Sequence, residues 1–422
     1  MEFETVLLKN ILEINPKTVL KQGTLAKKVA MENIKENLKY IKNYNLETFK
    51  SGSKFKNGDT LVARITPCLE NGKTAYVDIL EDDEVAFGST EFFVIRPKQH
   101  KADSQFLYYL MRTPYIREIL IKSMTGTSGR QRAQKDSLLD LQIDLPKYEC
   151  QVVIGKLLSN LDDKIRLNSQ LTANLEELSQ ALFKRWFVDF EFPDENGLPY
   201  TSSNKSLEDL PPLWEKGSID NIGTIIAGGT PSKKIPEYFT DKGISWLTPK
   251  DLSNNKNKFI YKGENDITEL GLQKSSAKLM PKNTVLFSSR APIGYIALAG
   301  KEMTTNQGFK SIIPNKGYNS YFIYFLLKNK LSSIEKAAGG STFKEISGKS
   351  LKQIEILIPP KHLVCEFEEI VSPYFEKIKS LELENNSLIE LRDTLLPKLM
   401  SGEIELPDTL EVTEDAELLQ RG

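Results

Sequence analysis

The sequence predicts an α+β fold: two mixed α/β lobes in pseudo-two-fold repeat, separated by two long antiparallel coiled-coil helices. Three observations carry that expectation. Phrases return in one order at a nearly constant offset, the apolar period changes from 2 towards 3.5 after Pro146 and again after Pro360, and a short turn-rich stretch divides the halves.

The repeat is explicit. "FFVIRP" (Phe92 to Pro97) returns as "FKSIIP" (Phe309 to Pro314), "SQFLYYLM" (Ser104 to Met111) as "SYFIYFLL" (Ser320 to Leu327), and "SLLDLQIDLP" (Ser137 to Pro146) as "SLKQIEILIPP" (Ser350 to Pro360). Within residues 1–146, the first lobe, β-branched and aromatic runs such as "DTLVARIT" read as strands bounded by Gly, Pro and Asn. Residues 147–190 form the first long helix, with apolar residues at Leu158, Leu161, Ile165, Leu171, Leu175, Leu178 and Leu182. At 1.5 Å per residue it would be roughly 60 Å long. Residues 191–215, rich in Pro, Ser and Asn, read as a linker. The second lobe, 216–360, repeats the strand pattern in "NTVLFSSR". The second helix, 361–400, carries Val371, Tyr374, Ile378, Leu381, Leu388, Leu391 and Leu395. Asn385 lies in its apolar register, and Pro373 should kink it or mark its start. Residues 401–422 form an acidic tail that reads as mobile.

Bulk properties narrow the function. A chain of 422 residues can bury more than one core. Three separated cysteines and two isolated histidines offer neither zinc-site spacing nor a disulfide framework, so no metal site is expected. The acidic start "MEFETVLLKNILEINPK" is unlike a signal peptide and no apolar run spans a bilayer, so a soluble, cytoplasmic protein is expected. The net charge of −1 conceals segregation: residues 211–360 carry 21 basic and 12 acidic side chains, whereas 361–422 carry 6 and 15. Polyanion-binding lobes separated by elements that meet something else would give this pattern.

Catalytic motifs are absent. "AGGTPSKK" (Ala227 to Lys234) lacks the spacing of a phosphate-binding loop, and "SGKS" (Ser347 to Ser350) has Phe343 where the cradle needs glycine. No dinucleotide fingerprint, HExxH, GxSxG or amino-methyltransferase loop occurs. What remains are loops pairing small residues with hydrogen-bonding and basic ones. The first lobe has "SGSKFK", "RITPCLENGK", "GSTE" and "TGTSGRQRAQK"; the second has "AGGTPSKK", "LTPKD", "SSRAPIG", "TTNQG" and "GGSTFKEIS". Such loops suit DNA: Lys, Ser and Thr hold phosphates, while Arg, Asn and Gln read base edges. A self-sufficient nuclease or methyltransferase, and a coiled-coil adaptor with protein-binding lobes, stay open as alternatives.

The phrases "IIAGGTPSKK", "ISWLTPKDL", "VLFSSRAPIGYIAL", "NQGFKSIIP", "GGSTFKEISGKSLKQIEILIPP" and "LSQALFKRWFVDFEFP" resemble the specificity subunits of type I restriction-modification systems. The resemblance implies a non-catalytic subunit whose two target-recognition domains each read half of a bipartite double-stranded DNA target. It also implies that two modification (methyltransferase) subunits dock on the helices and restriction/translocase subunits join them. S-adenosylmethionine, ATP and Mg would sit on those partners, and this chain would hold no cofactor. The implied DNA-binding set of the second lobe is Thr230, Ser232, Lys233, Ser288, Ser289, Arg290, Asn306, Gln307, Ser341 and Thr342. In the first lobe it is Arg64, Thr66, Asn71, Lys73, Ser89, Thr90, Thr127, Ser128, Arg130 and Gln131, although "RITPCLENGK" replaces "SSRAPIG" and no "GGTPS" occurs there. The implied partner-binding helix residues are Leu161, Ile165, Leu175 and Leu178 with Tyr374, Ile378, Leu388 and Leu391.

Overall fold

The computed structural model describes residues 2–193, 211, 213–340 and 344–405. The chain divides into two compact units, Met1–Leu167 with Asn385–Gly422, and Asn168–Glu384. Each long helix is therefore shared: the central helix, Tyr148–Phe187, and the C-terminal helix, Lys361–Ser401, each give one half to each unit. The C-terminal helix begins at Lys361, so Pro373 is interior to it and exposed.

In the first unit, strand Phe3–Leu7 pairs antiparallel with Gln142–Pro146, closing the lobe just before the central helix. One four-stranded sheet has the order Leu12–Ile14, Phe92–Pro97, Thr60–Ala63, Thr74–Tyr76; a second has Asn45–Thr48, Leu25–Val29, Ala86–Gly88, Ser53–Phe55. Helix Ser104–Arg112 follows, capped by the Asp103 carboxylate accepting from the Phe106 amide, and Phe106 to Met111 are buried.

The second unit repeats the plan. Glu215–Ser218 pairs with Glu355–Ile358. A five-stranded sheet has the order Thr224–Ala227, Lys310–Ile313, Val285–Ser289, Ile293–Ala299, Phe259–Ile260. A four-stranded sheet has Phe239–Thr240, Asn265–Ile267, Ile244–Leu247, Thr304–Thr305. Helix Ser320–Ala337 is capped by Asn319 accepting from the Phe322 amide, the same device one repeat later.

Each lobe is fastened to its helix halves by a polar cluster set in apolar packing. In the first unit the Lys39 ammonium donates to Ser159 Oγ at 2.7 Å, with the rings of Tyr40, Tyr76, Tyr108 and Tyr109 at 5.1–5.6 Å. Burial pulls this lysine down to about 8. Nearby, buried Arg392 of the C-terminal helix meets Asp162 of the central helix at 2.5 Å, and Tyr109 donates to the other Asp162 oxygen at 2.5 Å. Asn385 Nδ2 donates to the Ile165 carbonyl at 3.5 Å.

In the second unit Phe183, Trp186 and Phe187 place their rings 5.3–6.3 Å from Phe367, and Asn168 Nδ2 donates to Glu384 at 2.8 Å. Glu176 meets Lys258 at 2.6 Å, Lys328 at 2.7 Å and the Tyr324 hydroxyl at 2.7 Å. Burial would raise this carboxyl, but the two lysines and the tyrosine outweigh it and hold it near 2. Glu382 accepts from the Lys258 and Phe259 amides at 2.5 and 3.1 Å; burial nonetheless pushes it up to about 7.

Candidate nucleic-acid interface

Three segments converge in each lobe. In the second, strand Val285–Ser289 ends in Arg290. The Ser289 amide donates to Gly308 of the "TTNQG" loop at 2.7 Å, and the Ile346 amide donates to Ser289 at 3.0 Å. Arg290 bridges Glu345, which also bridges Gly339 across the loop that follows helix Ser320–Ala337. In the first lobe, the Arg64 amide donates to Glu91 at 2.9 Å, the Ala133 amide donates to Arg64 at 2.8 Å, and Ile65 bridges Arg132, itself bridged to Thr125. Strand end, inter-strand loop and hairpin therefore meet in the same arrangement twice.

This arrangement aligns "RITP" with "SRAP": Arg64 takes the place of Ser289, Ile65 that of Arg290 and Pro67 that of Pro292. The Thr66–Pro67 and Ala291–Pro292 bonds are both cis.

In the second lobe Arg290 is half-buried, with NH1 3.2 Å from Glu345 Oε2. The other Glu345 oxygen lies 3.4 Å from Lys310 Nζ, which also approaches Ser289 Oγ at 3.4 Å and the Gln307 carbonyl at 3.3 Å. Thr230 donates to the Gln307 side-chain oxygen, joining the "GGTPS" loop to the rim. Gln307, Ser232 and Lys233 are exposed; Asn306 is half-buried, its Oδ1 accepting from the Gly308 amide at 2.8 Å. Ser341 and Thr342 lie outside the described residues.

Two expected facing groups do not face outward. Ser288 and Ser289 are fully buried: Ser288 Oγ donates to the Pro292 carbonyl and accepts from the Tyr295 amide, both at 2.8 Å, and Ser289 Oγ donates to the Gly308 carbonyl at 3.1 Å. The strand continues through them, so their hydroxyls brace the turn. The glycines of "AGGTPSKK" likewise serve internal packing. A Cβ on Gly228 would lie 2.0 Å from the Asn306 carbonyl oxygen, and one on Gly229 2.3 Å from backbone of Ser276 and Ala277.

In the first lobe Arg64 is half-buried with its guanidinium 4.8 Å from the Phe93 ring centre. Thr66 is half-buried, its amide donating to Gln131 at 3.1 Å. Asn71, Thr90, Thr127, Ser128 and Arg130 are exposed, and Gln131 is half-buried. Ser89 Oγ accepts from the Glu91 amide at 3.1 Å, and Lys73 is engaged by the Met31 carbonyl at 3.0 Å.

Residues 1–177 and 211–391 match the family described as the type I restriction modification DNA specificity domain. The chain belongs to this family. This chain is 30% identical over 409 residues to the type I restriction enzyme HindI specificity subunit of Haemophilus influenzae, covering 83% of this chain and 87% of that protein. It is 40% identical over 183 residues to the MjaIX specificity subunit of Methanocaldococcus jannaschii, covering 43% and 42%. It shares its fold with the type-I restriction-modification system S subunit from M. genitalium, at TM-score 0.53 and 18% identity over 96% and 97% of the two chains.

The rims of this chain hold charged residues absent from the expected set. Arg132 clasps Glu91 through Nε at 2.9 and 3.0 Å and through NH2 at 2.7 Å, and this contact raises the guanidinium further above its ordinary range. Lys310 and Glu345 complete the second rim. All four stand inside quoted loop phrases or next to them; only the bridges show which face the rim.

On the helices the proposed partner residues divide. Ile165 and Ile378 are buried in their own units, Leu161, Leu175, Tyr374 and Leu388 are half-buried, and Leu178 and Leu391 are exposed. Leu157, Leu167, Leu171, Ile370 and Leu383 are exposed as well, although a heptad reading cannot separate an inward from an outward leucine. Among the described residues no helix is long and apolar enough to cross a membrane.

Proposed function

We propose that this chain is the non-catalytic, sequence-specific DNA-binding subunit of a type I restriction-modification complex. Each lobe reads one half of a bipartite target, and the exposed leucines of the two helices receive the methyltransferase subunits. Transfer chemistry, with S-adenosylmethionine, ATP and Mg, belongs to those partners and to the restriction/translocase subunits, in the cytoplasm. The observation that carries this reading, beside family membership, is the twofold convergence of strand end, loop and hairpin that gathers Arg, Gln and Thr at one rim per lobe. Arg can contact guanine bidentately, Gln adenine, and the threonines and lysines phosphates.

The helices, running antiparallel as a rod, set the distance between half-sites, which on one face of B-DNA is about 34 Å or a multiple of it. Methylation mapping of host DNA with and without the chain tests the reading: a bipartite methylated motif should be present only with it. Four residues inserted near Asn168 should add about 6 Å, lengthening the spacer and leaving both half-sites unchanged. Retention of the original spacer would count against the rod as ruler. Arg290→Ala should relax one position of the second half-site by about 1–3 kcal/mol. Uniform weakening on every sequence would mark a phosphate contact instead.

A further inference from the structure

A carboxylate on a DNA-facing rim needs a reason, because it repels the phosphates that the surrounding lysines attract. Both rims hold one, in an ion pair that uses the same hairpin position with the opposite charge. In the second lobe the strand end supplies the cation, Arg290, and the hairpin the anion, Glu345. In the first lobe the hairpin position matching Glu345 is Arg132, and its anion, Glu91, comes from the inter-strand loop. All four groups remain accessible: the side chains of Arg290 and Glu345 are 38% and 37% exposed, those of Arg132 and Glu91 44% and 23%. A pair this wet contributes little to stability, so its recurrence on both rims calls for another role.

We infer that Glu345 and Glu91 are specificity-determining residues, and that each Arg–Glu pair reads one G·C base pair in its half-site. The chemistry is complementary. Guanine offers O6 and N7 to an arginine, and the cytosine paired with it offers N4–H to a carboxylate. Free of DNA, the glutamate occupies the guanidinium and keeps it from phosphates. Non-cognate DNA can take the arginine only by leaving the carboxylate without its guanidinium partner, whereas a G·C pair supplies a partner to each. Lys310 stays beside Glu345 and offsets its charge while Arg290 is engaged elsewhere.

This inference rests on the DNA-recognition reading above, and one experiment separates the two. The full chain, assembled with its modification subunits, is used to select bound sequences from a random duplex pool. Selection by the unaltered complex of no bipartite site would overturn the parent reading. Given a site, Glu345→Gln should raise affinity for random duplex and lower discrimination at one G·C position of the second half-site about tenfold or more, with the first half-site unchanged; Glu91→Gln should do the converse.

The double exchange Arg290→Glu with Glu345→Arg is the decisive arm, because it keeps an ion pair at the rim. It should invert one G·C pair of the second motif to C·G. A motif left unchanged by the exchange while binding persists would reduce the pair to a structural brace and overturn the inference. So would a selected second half-site lacking any G·C pair. Glu345→Asp guards against a misfolded hairpin: it should bind the unaltered motif, and loss of all binding by it and the exchange variant alike would likewise assign the pair to structure.

Discussion

Replacing Arg392 with methionine is expected to cost the first unit about 3–5 kcal/mol. Arg392 is 1% exposed and Asp162 4%, so the substitution leaves a carboxylate in the interior that keeps, among the described residues, the Tyr109 hydroxyl as its hydrogen-bond donor. Asp162→Asn in the same chain should recover much of the loss, since it removes the buried charge and keeps an acceptor for Tyr109. The chain supplies its own control. All three tryptophans, Trp186, Trp214 and Trp246, lie in the second unit. Denaturant unfolding followed by far-UV circular dichroism should shift, while the transition followed by tryptophan fluorescence stays in place. A single variant as stable as the native chain would show that the pair is neutral.

The second large effect is a pH dependence in the second unit. Glu382 has a folded pKa of about 7, above an ordinary value of 4.5, because burial disfavours its charge. The folded state therefore holds the proton more tightly than the unfolded chain. Its stabilising contribution is full below about pH 4.5 and is lost as pH rises towards 7, by at most about 3 kcal/mol. Glu176, held near 2 in the folded state, is ionised in both states above about pH 5.5 and adds little slope there. The tryptophan-reported unfolding free energy should fall between pH 5 and pH 8. Glu382→Gln should flatten that fall, lying about 1 kcal/mol below the native chain at pH 5, since an amide offers one acceptor to the two amides of Lys258 and Phe259, and above it by pH 8. Equal slopes in the two proteins would refute the assignment.

The parts of the fold legible in the sequence are those built from local periodicity. The returning phrases mark strand Phe92–Pro97 and its counterpart Lys310–Ile313, then the segments at Ser104 and Ser320, which the structure shows as helices capped by Asp103 and Asn319. The helix bounds near 148 and 361 follow Pro146 and Pro360 because proline ends the preceding strand and tolerates a helix start. The rims were less legible. Arg64 over Phe93 and Lys310 against Ser289 are equivalent placements of a cation, contributed by opposite strands of the same pair. An alignment by residue type therefore misses them. Ser288 and Ser289 read as facing groups in the sequence, and the structure buries them, because a small polar residue looks alike at a strand end and in a loop.

By itself the sequence determined a duplicated chain of two lobes, each followed by a long amphipathic helix, with loops of donor residues at matching places. These depend on propensity and period, which act between neighbours in the chain. The tertiary structure alone decided which leucines turn inward, that each compact unit takes half of both helices, and that Arg132 meets Glu91 while Arg290 meets Glu345. Those outcomes depend on contacts between residues 41 and 55 positions apart on the rims and more than 200 apart on the helices. Chain spacing carries no signal for them, because packing and charge pairing act through space.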